Sequence, residues 1–167
     1  MYVFAHVGLA LGAFYVIGRI SSRKVSTIDI RLLVIGSMLP DIIDKPLAFI
    51  GAAAGRGYAH TVAFFLITMA AGVYYAKNEL SYGVASHLLL DGMWLNPAVL
   101  FWPVAGKTVL TTQYDVAFYW NQLLENRYIQ VTEVIGALIL LGVIWHFSLY
   151  KREHLSVLLK TGRIWAQ

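Results

Sequence analysis

Apolar residues run almost unbroken through Tyr2–Ile20, and the first charge is Arg19. At about 1.5 Å per residue such a stretch suffices for one helical crossing of a bilayer core about 30 Å thick. Tyr58–Ala76 repeats the pattern and is closed by Lys77, Asn78 and Glu79. Ile129–Tyr150 is the most apolar segment and stops at Lys151 and Arg152. Two further segments are weaker. Ile28–Asp44 holds the apolar run LLVIGSML, but carries Asp29 and Arg31 at one end and Asp41 and Asp44 at the other. Leu80–Leu95 is short, contains His87 and Asp91, and meets Pro97. Between them PLAFIGAAAGRG, opened by Pro46 and closed by glycines, predicts a short dip or interfacial loop.

These runs are continuous rather than alternating, which argues against a β-barrel. The predicted fold class is all-α: a polytopic membrane helical bundle of about five transmembrane helices. Residues 1–150 form one transmembrane domain, and 151–167 form a basic cytoplasmic tail.

Composition agrees with that picture. The 167 residues are 59% apolar and 13% charged, against about 45–50% and about 25% in soluble domains. That excludes an ordinary cytosolic enzyme and a disordered chain. Cysteine is absent, so disulfides and thiolate metal sites are excluded. The net charge of +4 belongs to the topology and gives no reason to expect a nucleic-acid partner. With the amino terminus outside, five crossings put Arg19, Arg23, Lys24, Arg31, Lys77, Lys151, Arg152, Lys160 and Arg163 in the cytoplasm. Lys45, Arg56, Lys107 and Arg127 remain outside, a division of 9 to 4 that obeys the positive-inside rule. No Lys or Arg precedes the first segment and no small-residue cleavage site follows, so it reads as a retained helix.

Residues 103–128 form the longest polar interval. Tyr114, Phe118, Tyr119, Trp120 and Tyr128 suit the headgroup layer, so this interval is either an interfacial helix on the outer face or a plain connector.

Ionisable groups inside apolar helices cost roughly 2.5–3.5 kcal/mol each on insertion scales, so His6, Asp41, Asp44, His60, His87, Asp91, Glu133 and His146 need a reason. On five crossings all but His146 gather toward the outer face. His87 and Asp91 are four residues apart and Asp41 and Asp44 three, so each pair shares a helix face. Three imidazoles and three carboxylates without thiols suit Zn, Mn, Fe or Co, as one or two ions. A cation would offset the carboxylate charge that makes burial expensive. His146 beside the basic end reads as a packing residue, His154 as a surface residue, and Asp29 with Arg31 as a helix-start pair.

GSMLPDIIDKPL (Gly36–Leu47), GRGYAHT (Gly55–Thr61), SHLLLDGMW (Ser86–Trp94) and LFWP (Leu100–Pro103), with an early His6, resemble the YdjM-like family of membrane-bound metal-dependent hydrolases. The resemblance covers roughly residues 1–105. It implies an inner-membrane helical protein whose metal ligands fall on His6, Asp41, Asp44, His60, His87 and Asp91. Two departures stand out. Lys45 closes PDIIDK where many members have His, and Gly55 stands where many have a His before the Arg-Gly pair.

The expected function is therefore a metal-dependent hydrolase acting from the outer leaflet on a lipid or lipid-linked substrate, with a phosphoester favoured. Zn or Mn is the expected cofactor. Arg56, four residues before His60, is placed to hold a phosphate or carboxylate, and Lys45 can add a point charge. Glu133 is a candidate base or a residue orienting a ligand imidazole; as a residue at a helix end it also has a purely structural reading. The alternatives are a divalent-cation transporter or channel and a non-catalytic membrane protein stapled by a structural ion.

Overall fold

The structure, a computed structural model, describes residues 1–20, 28–52, 55–105 and 116–164. Arg23, Lys24, Lys107 and Tyr114, which enter the charge count or the headgroup assignment, lie outside the described residues, as do the side chains of Arg19, Phe118 and Tyr119. Within them the fold is entirely helical and contains no strand. The helices are α1 (Val3–Ile20), α2 (Ile30–Phe49), α3 (Val62–Tyr74), α4 (Glu79–Leu90), α5 (Pro97–Leu100), α6 (Val116–Glu125), α7 (Arg127–His146) and α8 (Arg152–Thr161). Short 3-10 turns, Tyr58–His60 and Met93–Leu95, precede α3 and follow α4.

Local chemistry sets the boundaries. The Asp29 carboxylate accepts the Arg31 amide to start α2, the Thr61 hydroxyl accepts the Phe64 amide to start α3, and the Asn126 side chain accepts the Tyr128 amide to start α7. α2 outruns its predicted end. Pro46 was expected to open a loop, but a proline removes only one rung of the helix, and the chain stays helical to Phe49. The turn that stops it needs a left-handed residue and falls on Gly51, at φ 74°. α4 ends earlier than predicted for the same reason: Gly92, at φ 64°, turns the chain one residue after Asp91.

Two glycine seams bring helices into backbone contact. On the α1–α7 seam a Cβ at Gly8 would collide with the Gly136 carbonyl, and one at Gly136 with the Phe4 carbonyl. On the α2–α4 seam a Cβ at Gly36 would collide with the Leu80 carbonyl, and one at Gly83 with the Leu33 carbonyl. Small residues at helix crossings permit this approach, and in lipid it replaces the hydrophobic drive that associates helices in water.

The packing gives the bundle two distinct ends. The starts of α1 and α7 and the ends of α2 and α4 meet at one, where Glu133 of α7 takes the first amides of α1. The starts of α2 and α4 meet at the other, where the Glu79 carboxylate accepts the Asp29 amide. A cluster of Leu11, Ile30, Leu33 and Ile164 fills the second end. Val84, Leu88 and Met93 form another beside α3.

The interior is thin for the amount of apolar side chain present. Val131, Val134, Leu138 and Leu141 of α7 are each more than half exposed. So are Val16, Ile17 and Ile20 of α1 and Ile67 and Val73 of α3. Water does not tolerate apolar surface on this scale. Among the described residues α7 alone is long and apolar enough by composition to cross a membrane. α3 and α4, at 13 and 12 residues, reach only about 20 and 18 Å. α6 shows that the interval 103–128 includes a helix, joined to α7 through Asn126 and through Gln130, whose amide donates to the Leu123 and Leu124 carbonyls.

Candidate metal centre

The first of these ends carries a buried polar cluster built from four pieces of chain. α1 supplies His6, α2 supplies Asp41 and Asp44, the turn before α3 supplies His60, and α4 supplies His87 with Asp91 at its cap. His6, His60 and His87 are wholly buried, as is Asp44. Their arrangement follows from the α2–α4 glycine seam. It brings the two backbones close enough for His87 Nδ1 to donate to the Ser37 carbonyl at 2.7 Å. That aims the other ring nitrogen at Asp41, one turn further along α2.

His60 is oriented as strictly. Its Nδ1 lies 2.6 Å from Asp44 Oδ2. The same carboxylate accepts the Gly57 amide at 2.8 Å and the Ala59 amide at 3.1 Å, so the loop from Gly55 to Thr61 wraps Asp44. With both Asp44 oxygens accepting backbone amides, His60 Nδ1 is the donor of the pair. Tyr58, in the same loop, meets Trp102 edge to face at 5.2 Å, which anchors the LFWP segment against it.

The remaining ring nitrogens converge. His60 Nε2 and His87 Nε2 are 3.1 Å apart. Asp41 Oδ1 lies 3.6 Å from the first and 3.8 Å from the second, and Asp91 Oδ2 lies 3.9 Å from His60 Nε2. His6 stacks on His87 with ring centroids 4.0 Å apart, and its Nε2 is 3.2 Å from Asp91 Oδ1. That pair is close but misdirected for a hydrogen bond, so both nitrogens of the buried His6 lack a hydrogen-bond partner. Two triads, His6–His87–Asp91 and Asp41–His60–His87, each have ligand atoms within 4.8 Å of one another. Ligands at about 2.1 Å from one ion lie at most about 4.2 Å apart, so small inward shifts would complete either set. Orphaned imidazole nitrogens beside carboxylates are what a bound divalent cation would satisfy, and the donor set suits one.

Lys45 and Arg56 are each tied to a carboxylate of the cluster. Lys45 Nζ is 2.6 Å from Asp41 Oδ2, and Arg56 Nε is 3.0 Å from Asp91 Oδ2. The Arg56 side chain is 45% exposed, so it faces outward from an otherwise buried cluster. The amino group of Met1 also reaches Asp91, at 2.8 Å.

The profile described as YdjM inner membrane protein matches residues 1–155. The chain belongs to that family. No match is found among curated proteins or solved structures. The YdjM match extends well beyond the residues 1–105 that carry the motifs and takes in α7, which holds no member of the cluster.

The structure thus places His6, Asp41, His60, His87 and Asp91 around one centre, with Asp44 directly behind His60. Glu133 lies apart from it. Its carboxylate accepts the amides of Tyr2, Phe4 and Ala5 at 2.7, 3.0 and 3.3 Å, so it caps α1 and holds the turn that carries His6. His146 meets Tyr15 and Phe147 edge to face. The Ser37 carbonyl and the Gly57 and Ala59 amides went unforeseen, since backbone groups leave no trace in residue type.

Proposed function

We propose that this YdjM-family chain is a membrane-embedded metal-dependent hydrolase acting on a lipid or lipid-linked phosphoester at the outer leaflet. One observation carries the reading: the two Nε2 atoms that face each other at 3.1 Å among carboxylates, under a rim bearing Arg56 and Lys45. His60 and His87 would hold the ion with Asp41, Asp91 and His6, while Asp44 orients His60. An imidazole nitrogen has one lone pair, and Nδ1 of His87 is committed to Ser37, so His87 serves a single ion. That favours one centre fed by both triads, with Zn or Mn as the expected metal.

When bound, such an ion supplies Lewis acidity and makes a water molecule acidic enough to react near neutral pH. The chain's own groups do the rest. Arg56 grips the anionic headgroup through its guanidinium fork, and Lys45 adds charge beside it. The attacking water gives up its proton to the leaving oxygen, and Lys45 Nζ, 2.6 Å from Asp41 Oδ2, holds that carboxylate with Oδ1 toward the two rings.

Five crossings with an outer amino terminus suit this reading. The ends that meet at the cluster are the starts of α1 and α7 and the ends of α2 and α4, as five alternating helices require. Purified protein should contain near-stoichiometric metal and release product from a panel of phospholipid and lipid-linked phosphate substrates, with chelator abolishing turnover. Metal-free protein with no chelator effect would sink the proposal. The complete burial of His6, His60 and His87 favours a second reading, a structural ion. In that case chelator lowers thermal stability and no substrate turns over.

A further inference from the structure

We propose that α8 is a membrane-surface helix that binds anionic lipid headgroups through a mixed leucine and basic face, at the end of the bundle opposite the metal cluster. The inference is independent of the hydrolase reading and rests on the family's membrane location.

The placement of α8 comes first. Trp145, in the last turn of α7, and Tyr150, four residues past its end, are both exposed and in ring contact at 5.8 Å. A tryptophan–tyrosine pair closing an apolar helix marks the headgroup level. Between them Ser148, at φ 50°, turns the chain, so α8 does not continue along α7. Its first turn is tied to α7 by His154 Nδ1, 3.1 Å from the Phe147 carbonyl. Its last turn is tied to α2. Arg31 Nη1 donates to the Leu159 and Lys160 carbonyls at 2.7 and 3.2 Å, and the Gly162 carbonyl accepts the Ile30 amide at 2.8 Å. Beyond it Ile164 is buried against Leu11, Ile30 and Leu33. Fastened to the end of one helix and the start of another, α8 lies across the bundle end at the depth of the Trp145–Tyr150 belt.

Its two faces differ. Leu158 packs inward on the Leu11–Ile30–Leu33 cluster. Leu155 and Leu159, one turn apart, are 41% and 62% exposed. Arg152 shares their side of the helix, Lys151 and Lys160 lie at its two ends, and Arg163 follows the Gly162 turn, all four exposed. Glu153, the one acid of the helix, is exposed on the opposite side. Leucines between basic residues on an exposed helix are matched by acyl chains below and phosphate above. Water alone satisfies the charges and strands the leucines.

The chain has no cysteine, so single spin labels can be read without background. Full-length L155C, L159C, E153C and L138C are labelled and reconstituted in vesicles of phosphatidylethanolamine and phosphatidylglycerol. Accessibility to oxygen is then compared with accessibility to a water-soluble nickel chelate. Labels at 155 and 159 are expected to show an oxygen-to-nickel ratio several-fold above that at 153. The ratio should fall toward the 153 value in pure phosphatidylcholine and in a variant combining R152Q, K160Q and R163Q. Equal ratios at 153, 155 and 159 in the anionic vesicles overturn the proposal. So does immobilisation of the 155 and 159 labels with shielding from both reagents, which would mark a protein partner or a second copy. A nickel-accessible label at 138, in the middle of α7, overturns the membrane location and this inference with it.

Discussion

His60 Nε2 and His87 Nε2 meet at 3.1 Å, while Nδ1 of each ring donates away from the contact, to Asp44 and to the Ser37 carbonyl. Two neutral rings with those tautomers oppose lone pair to lone pair. Only a proton or a cation between them relieves that. Replacing either ring with Ala should therefore remove bound metal, and H60A and H87A should each insert in the membrane yet purify with little or none. Elemental analysis checks this, and full metal occupancy in both variants would falsify the ligand assignment.

Asp44 stands one step back. Its oxygens are taken by His60 and by the Gly57 and Ala59 amides, so on the proposed function its part would be to fix a ring. Losing such a partner typically costs 10- to 100-fold in metal affinity. D44N is expected to fall in that range in a competitive chelator titration. D41N, which removes a candidate ligand oxygen, should weaken binding further. Equal loss in the two variants would erase the distinction between them.

Lys45 and Arg56 occupy the carboxylates that a metal would use, at 2.6 and 3.0 Å. As internal counter-ions they would compete with an ion, and on the proposed function they would meet the anionic headgroup. K45M and R56M should thus bind metal several-fold more tightly than the parent chain. On the proposed phosphoester they should show a raised KM. Unchanged metal affinity in both would mean the pairs do not compete.

Glu133 makes a cleaner structural prediction. Its three amide contacts are an N-terminal cap for α1, and losing a cap costs about 1 kcal/mol. E133A should lower the thermal midpoint in detergent by a few degrees and retain its metal. Loss of metal with unchanged stability would return Glu133 to the site.

The gathering of His6, Asp41, His60, His87 and Asp91 was legible because each is costly inside an apolar segment and the segments alternate in direction. Spacing alone made His87 and Asp91 partners on one stripe, and they do face one centre. Asp41 and Asp44 share a face as predicted, yet only Asp41 points at the opposed rings. What separates them is the loop around Gly57 and Ala59, and amides carry no residue signature. Glu133 had the right position along its helix, but which neighbour it meets is decided by the Gly8–Gly136 seam, a contact that no periodicity announces. α2 runs through Pro46 to Phe49 because its end is set by the left-handed turn at Gly51, which the proline does not announce. The docking of α8 depends on Arg31, whose second set of partners, the α8 carbonyls, is invisible until the chain is folded.

The α2–α4 seam is where fold and site are most tightly joined, and it can be tested by one methyl group. A Cβ at Gly83 would meet the Leu33 carbonyl and the backbone of Gly36 and Ser37, so G83A must push α4 off α2. Overpacking of this kind costs about 1–3 kcal/mol, and the displacement would also carry His87 away from the Ser37 carbonyl that sets its tautomer. Gly142 of α7 has nothing within 4 Å of the same added atom. There the substitution only improves helix propensity, by up to about 1 kcal/mol. G83A should therefore lose both thermal stability and metal, whereas G142A should keep its metal and match or exceed the parent midpoint. If G83A melts lower yet binds metal like the parent, the seam supports the bundle but does not set the ligand geometry, and His87 must be held by something other than α2.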